Sequence, residues 1–153
     1  MMPTPLSPAD LKEVVRLTPL VSIDLMIRDP GARVLLGLRT NEPAKGVYFV
    51  PGGRIWKDER FADAFTRILK TETGYVSAIG QARLIGVYEH FYKTNRFNDP
   101  SFGTHYVALG YELRIGSGLP LIADAQHSEY GWWTEAALLE SDKVHENAKA
   151  YFR

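Results

Sequence analysis

The order of apolar and polar positions divides the chain into short elements, strands more often than helices. In LVSIDLMIR (20–28), Val21, Ile23, Leu25 and Ile27 alternate with Ser22, Asp24 and Met26, the two-residue period of a strand. The turn DPGA leads to a second strand, RVLLGLR (33–39), and the loop TNEPAKG separates it from the short strand VYFV. Further strands are predicted at 81–90, 104–114 and 130–133, and helices at 134–140 and 143–152. Ahead of the first strand, Ser7 and Pro8, with Asp10 in the first turn, open a short helix. It carries Leu11, Val14 and Val15 on one face, and Pro19 ends it. Successive strands lie too close together for a regular βαβ alternation, which predicts a mixed sheet in an α/β (α+β) fold. Without repeats or low-complexity segments, the 153 residues suit one domain, 1–153.

A different period governs GGRIWKDERFADAFTRILKTETGY. With Asp58 as N-cap and Gly74 as the residue after the C-cap, it predicts a helix over about 59–73. At roughly 100° per residue, Phe61, Phe65, Ile68 and Glu72 fall within about 60° of one another. Three of them are core residues and the fourth is a carboxylate. A bare buried carboxylate costs several kcal/mol, so Glu72 is paired, protonated or metal-bound if buried. The plainer alternative is that it has slid to a solvent-facing edge.

Composition narrows the chemistry. Lys+Arg and Asp+Glu are 18 each, so the formal charge is zero, with no global field to attract nucleic acid or an anionic membrane. An anionic ligand must then be met by a local basic cluster. The absence of cysteine excludes disulfides and thiolate metal sites. The opening MMPTPLSPADLKEVV has no basic segment followed by an apolar run, and no stretch approaches membrane-spanning length, so the expectation is a cytoplasmic protein.

Gly53, Glu59, Arg67, Leu69, Glu72, Gly74 and Tyr75 stand at spacings that resemble the Nudix box, a loop-helix-loop of enzymes acting on nucleoside diphosphates linked to another group. Two of the box's usual glutamates are replaced, by Ile68 and Thr71. The blocks TPLVSIDL, LLGLRTNEPAKGVYFVPGGRIWKDE, GVYEHFY, THYVALGY, QHSEYGWW and SDKVHENAKAYF extend the likeness over most of the chain. They resemble the GDP-mannose mannosyl hydrolase branch of that family. The resemblance implies a mixed sheet sandwiched between helices and hydrolysis of a GDP-sugar, GDP-mannose or GDP-glucose, to GDP and free sugar. It also implies a homodimer and one Mg²⁺ per subunit, with Mn²⁺ as a substitute. One carboxylate does not hold a multi-metal cage, but it can anchor one hard ion beside substrate phosphates.

The site residues follow from the same resemblance. Glu72, the backbone carbonyl of Gly52 and the side-chain carbonyl of Gln126 are the implied metal ligands, and His127 the general base. Arg39 and Arg54 would take the diphosphate, and Tyr106 would donate to the departing oxygen. Asp24 would bind sugar hydroxyls or support an arginine, with His90 on the sugar side. Glu59 and Arg67 would tie the box together by ion pairing, Arg67 also influencing catalysis. Without the family, each has a plainer reading: a tight-turn glycine, a surface amide, a solvated arginine, a packing tyrosine, a solvent-facing aspartate. His145 reads as structural, and Trp132 and Trp133, on opposite faces of a strand, read as core. The aromatic and polar stretch HFYKTNRFNDPSFG (90–103) reads as a mobile loop contacting base or sugar. Two other functions stay open: a Nudix pyrophosphatase cutting at phosphorus, and a nucleotide-binding module without turnover.

Overall fold

Seven strands form one mixed sheet flanked by helices on both faces. The computed structural model describes residues 2–116 and 127–153, with backbone alone at His127 and Ser128. In chain order the elements are α1 (Pro8–Leu17), β1 (Leu20–Arg28), β2 (Val34–Arg39), β3 (Tyr48–Phe49), β4 (Gly52–Arg54), α2 (Phe61–Thr73), β5 (Ala82–Tyr92), β6 (Thr104–Arg114), β7 (His127–Trp133), α3 (Glu135–Glu140) and α4 (Glu146–Lys149). The main path of the sheet runs β3-β2-β1-β6-β5, with β4 added to β1 and β7 to β2. Only β1 and β6 pair in parallel, over Leu20–Arg28 against Tyr106–Arg114. Among the described residues the other strand-to-strand pairings are antiparallel, and a single parallel bridge joins Tyr48 to Val144.

Both faces of β1 are covered, so the alternation of its sequence separates two cores rather than core from solvent. Ile23, Leu25 and Ile27 pack with Phe65, Ile68 and Leu69 of α2, while Met26 packs with Val34, Leu36, Leu138, Ala148 and Tyr151 on the other side. Trp132 joins the first cluster and Trp133 the second, as their adjacent strand positions require.

The second helix departs from its predicted start. Asp58 is not its N-cap: it stands at φ 68° in a turn, and Arg60 caps the helix without a side-chain bond. The reason is Glu59, which accepts the Trp56 N–H and pairs with Arg67, folding residues 56–60 back on themselves. Phe61, the first residue of the helix, lies on the buried side of the helical wheel yet is 56% exposed. The C-terminal end is as expected, with Gly74 at φ 76° donating to Lys70 O. The last helix is shorter than 143–152: His145 caps α4, its Nδ1 accepting the Asn147 N–H, and residues 150–152 continue as a 3-10 turn.

The apolar face of α1 is covered by this chain itself. Leu11 and Val15 pack with Leu20, Phe97, Phe102 and Tyr106. Residues 93–103 are a hydrogen-bonded knot rather than a loose loop. Fully buried Asn95 donates to Asp99 O and Phe102 O and accepts from the N–H groups of Phe97 and Asp99. No helix among the described residues is long and apolar enough to cross a membrane.

Candidate functional site

The site opens where β1 and β2 part company. They are in register only at Arg28 and Val34; beyond that point β1 takes β4 as its neighbour and β2 takes β3 and β7. A cavity of about 270 Å³ fills the divergence, lined by Asp24, Arg39, Arg54, His90, Arg96 and Tyr106 among others. A second, of about 330 Å³, runs along α2 past Thr71 and Glu72. The two share Leu11, Gly52, Gly53, Arg54 and Arg96, so they form one cleft with a joint at the double glycine.

Asp24 lies at the bottom, 6% exposed, accepting a 2.5 Å hydrogen bond from the Tyr151 hydroxyl. Burial pushes its carboxyl up to about 6, against the opposing pull of the Tyr151 hydrogen bond and the Arg39 charge. The solvent-face reading of Asp24 is therefore wrong. His90 is also buried, with Nδ1 3.8 Å from Asp24 Oδ2, and burial pushes its imidazole down to about 4, with the His145 charge adding to the shift. At neutral pH the two do not form an ion pair. His90 Nε2 is buried without a hydrogen-bond partner among the described residues.

Gly52 is part of a strand rather than a tight turn. Leu25 N–H donates to Pro51 O, and Ile55 N–H to Val21 O. Between these bonds the register pairs Asp24 with Gly52, at a position where both backbones turn their polar groups away from each other. The Gly52 carbonyl is thus not used by β1. A Cβ here would lie 2.3 Å from Asp24 Oδ1 and 2.7 Å from Ile23 O, which only glycine avoids. At Gly53 an added Cβ would press on Ile68 at 3.2 Å.

Glu72 is 4% exposed, which removes the solvent-edge reading, and Tyr130 donates its hydroxyl to the Glu72 backbone carbonyl at 2.9 Å. Ile68 is buried in the core and Thr71 is exposed, so neither supplies a second acid. Arg67 donates to Glu59 through Nε (2.7 Å) and a terminal nitrogen (2.9 Å), and to Arg54 O at 2.8 Å. Its guanidinium also lies 3.8 Å from the centre of the Trp56 ring. These contacts brace the box, as the sequence predicts; they turn Arg67 toward Glu59, while Arg54 keeps its head at the joint of the cleft.

Tyr106 lines the cavity, and burial raises its hydroxyl above the usual tyrosine range. Arg39 donates Nε to Pro43 O at the rim. Opposite Arg39 in the β2–β7 ladder stands the backbone of His127, which brings the predicted base's strand to the cleft. Gln126 lies outside the described residues. Among those residues no group of three or more His, Cys, Asp or Glu side chains could hold a metal ion. The donors present, the buried Glu72 carboxylate and the outward Gly52 carbonyl, are hard oxygens that suit one Mg²⁺ anchored mainly by water and phosphate.

Sequence reasoning missed two participants. Tyr151 sat unremarked in the terminal segment, since nothing local marks a hydroxyl whose partner is 127 residues away. Arg96 lay inside the flagged 90–103 stretch, but nothing in the sequence marks which of its side chains lines the cleft.

The NUDIX domain model matches residues 18–153. The low-salt glycan biosynthesis protein Agl8 of Haloferax volcanii is 43% identical over 128 residues, spanning 83% of this chain and 79% of its own. An ADP-ribose pyrophosphatase of Methanocaldococcus jannaschii is 31% identical over 122 residues, 79% of this chain and 67% of its own. The crystal structure of a MutT NUDIX hydrolase from Burkholderia pseudomallei superposes with a TM-score of 0.69 at 26% identity, covering 88% of this chain and 95% of that one.

Proposed function

The chain belongs to the Nudix family, and on that footing we propose that it hydrolyses a GDP-sugar, GDP-mannose or GDP-glucose, at the anomeric carbon to give GDP and free sugar. The observation that carries this reading is the reduced box helix. It turns one buried carboxylate, Glu72, toward the cleft, with core-packed Ile68 and exposed Thr71 at the positions of the missing acids. Attack at phosphorus by the multi-metal route needs the acids this helix lacks; attack at carbon needs the diphosphate to leave and the sugar to be held in line.

In this scheme water attacks the anomeric carbon, the carbon–oxygen bond to the diphosphate breaks, and its electron pair leaves with GDP. A single displacement inverts the anomeric configuration. His127 takes the proton from the attacking water, a role suited to an imidazole near neutrality. Arg39 and Arg54 offer forked donors to the diphosphate oxygens, and Tyr106 donates to the departing oxygen. At the cavity floor, Asp24 and the unpartnered Nε2 of His90 offer hydrogen bonds to sugar hydroxyls. Glu72, the Gly52 carbonyl and Gln126 would hold a Mg²⁺ ion, which supplies charge neutralisation for the leaving diphosphate when bound.

The second reading is cleavage between the phosphorus atoms, favoured by the Methanocaldococcus jannaschii relative that bears the name of a pyrophosphatase. Product identification after mixing the protein with GDP-mannose or GDP-glucose and Mg²⁺ separates the two. GDP and free sugar support attack at carbon, whereas GMP and sugar 1-phosphate overturn it. Thermal stabilisation by nucleotide, with no turnover of either sugar, marks a binding module instead.

A further inference from the structure

Arg96 stands at the joint of the cleft, lining both the Asp24 cavity and the Glu72 cavity. Its contact in the fold is with its own neighbour, the Phe97 ring, 5.8 Å from the guanidinium carbon. None of Arg39, Arg54 and Arg96 forms an ion pair with a carboxylate among the described residues, although Asp24 and Glu42 line the same cavity. The Arg54 guanidinium is held below its ordinary range by burial first, and then by the like charges of Arg67 and Arg96. A protein of zero net charge has thus gathered around one opening three guanidinium groups that make no salt-bridge contact among the described residues. The like charges of Arg54 and Arg96 oppose each other, and a compact polyanion between them relieves that repulsion.

The segment that carries Arg96 is built to keep it there. Asn95 makes four hydrogen bonds within the knot, and Thr104 donates Oγ1 to Thr94 O at 2.8 Å. Lys12 of α1 pairs with Asp99 at 3.2 Å, and Phe97 and Phe102 pack against Leu11 and Val15. The Arg96 side chain is itself exposed, and what the knot holds is the backbone that carries it. Backbone freedom frozen beforehand is not lost on binding.

We infer that Arg96 is a third diphosphate-binding residue, which grips the phosphates where the Glu72 and Asp24 cavities meet. The assignment rests on the nucleoside diphosphate reading above and adds to it a fixed basic arm from the 93–103 knot. With Arg54, it puts two guanidinium groups on the border of both cavities, where the diphosphate must cross to place its sugar over Asp24 and its charge beside Glu72.

Calorimetric titration of the metal-free protein with inorganic pyrophosphate and with GDP tests it, comparing wild type, Arg96→Gln, Arg96→Lys and Arg54→Gln. Arg96→Gln is expected to weaken both ligands about tenfold, the loss of one charge-assisted contact, and to flatten the salt dependence of binding. Arg96→Lys recovers part of that loss, and the melting temperature of both variants stays at the wild-type value. Unchanged pyrophosphate and GDP affinity in Arg96→Gln, with Arg54→Gln weakened, overturns the assignment and leaves the proposed function standing. A wild-type protein that binds neither pyrophosphate nor GDP, in the metal-free form or with Mg²⁺ added, overturns both.

Discussion

The Tyr151 hydroxyl donates to Asp24 Oδ2 at 2.5 Å, joining the last turn of the chain to the middle of β1. The Tyr151 ring is itself held edge-on against Tyr88, centroids 4.5 Å apart, over a glycine: a Cβ at Gly110 would come within 2.8 Å of Tyr151 Cε1. The C-terminal segment is therefore the underside of the site. Its partner is a buried carboxylate, and the Tyr151 hydrogen bond opposes the upward push of burial on its pKa, as the Arg39 charge does.

Tyr151→Phe removes the donor while keeping the ring. Leaving a buried acceptor short of a partner costs about 1–3 kcal/mol, read as a lowered denaturation midpoint. The Asp24 carboxyl, already pushed up to about 6 by burial, rises further once the hydrogen bond is gone. The acid limb of turnover against pH is expected to move to higher pH. A limb that stays in place would mean that Asp24 ionisation does not govern the rate.

Asp24 and His90 tilt stability in opposite directions. Asp24 is raised from 3.8 to about 6, so its contribution is present below pH 3.8 and lost as pH rises through about 6. His90 is lowered from 6.5 to about 4, so its contribution is present above pH 6.5 and lost as pH falls through about 4. Each is worth on the order of 3 kcal/mol, and in the metal-free protein they offset each other across that window. Asp24→Asn removes one arm. Its stability, followed by urea denaturation at pH 4.5 and 6.5, is expected to rise with pH more steeply than that of wild type; parallel curves would refute the opposition.

Arg67 serves the box through Glu59, whose side chain is 5% exposed. Arg67→Met strands that carboxylate and releases Arg54 O, at a cost of about 2–3 kcal/mol. Adding Glu59→Met should restore much of the loss. A double-mutant cycle with coupling near zero would show that the pair is ornamental.

Glu72→Gln keeps the shape of the side chain and removes its charge. The Mg²⁺ concentration for half-maximal activity is expected to rise tenfold or more, and unchanged activation would remove Glu72 from the ligand set. His127→Gln is expected to lower turnover about 100-fold while leaving substrate binding nearly unchanged, the signature of a lost base. Near-normal turnover would end that assignment.

Much of the fold was legible because its causes are local. The period-two run of 20–28, the strand at 104–114 and the glycine stop at Gly74 all appear where the pattern places them. The pairing of Glu59 with Arg67 was legible through the resemblance to the box. The start of α2 was misread because Glu59 answers to Arg67, eight residues on, rather than to its neighbours. Phe61 was misread because a helical wheel says which side faces inward, not whether a residue at the very start of the helix is covered.

The sequence by itself determined the elements, the spacing of the box and the loss of two of its acids, since these depend on residues a few positions apart. Tertiary structure alone decided that Asp24 is dry, that Tyr151 is its donor, that the Gly52 carbonyl is left unused by β1 and that Arg96 meets Arg54 across two cavities. The physical reason is range. Periodicity and capping are short-range preferences written residue by residue, whereas desolvation and the meeting of charges depend on which distant segments the sheet register brings face to face.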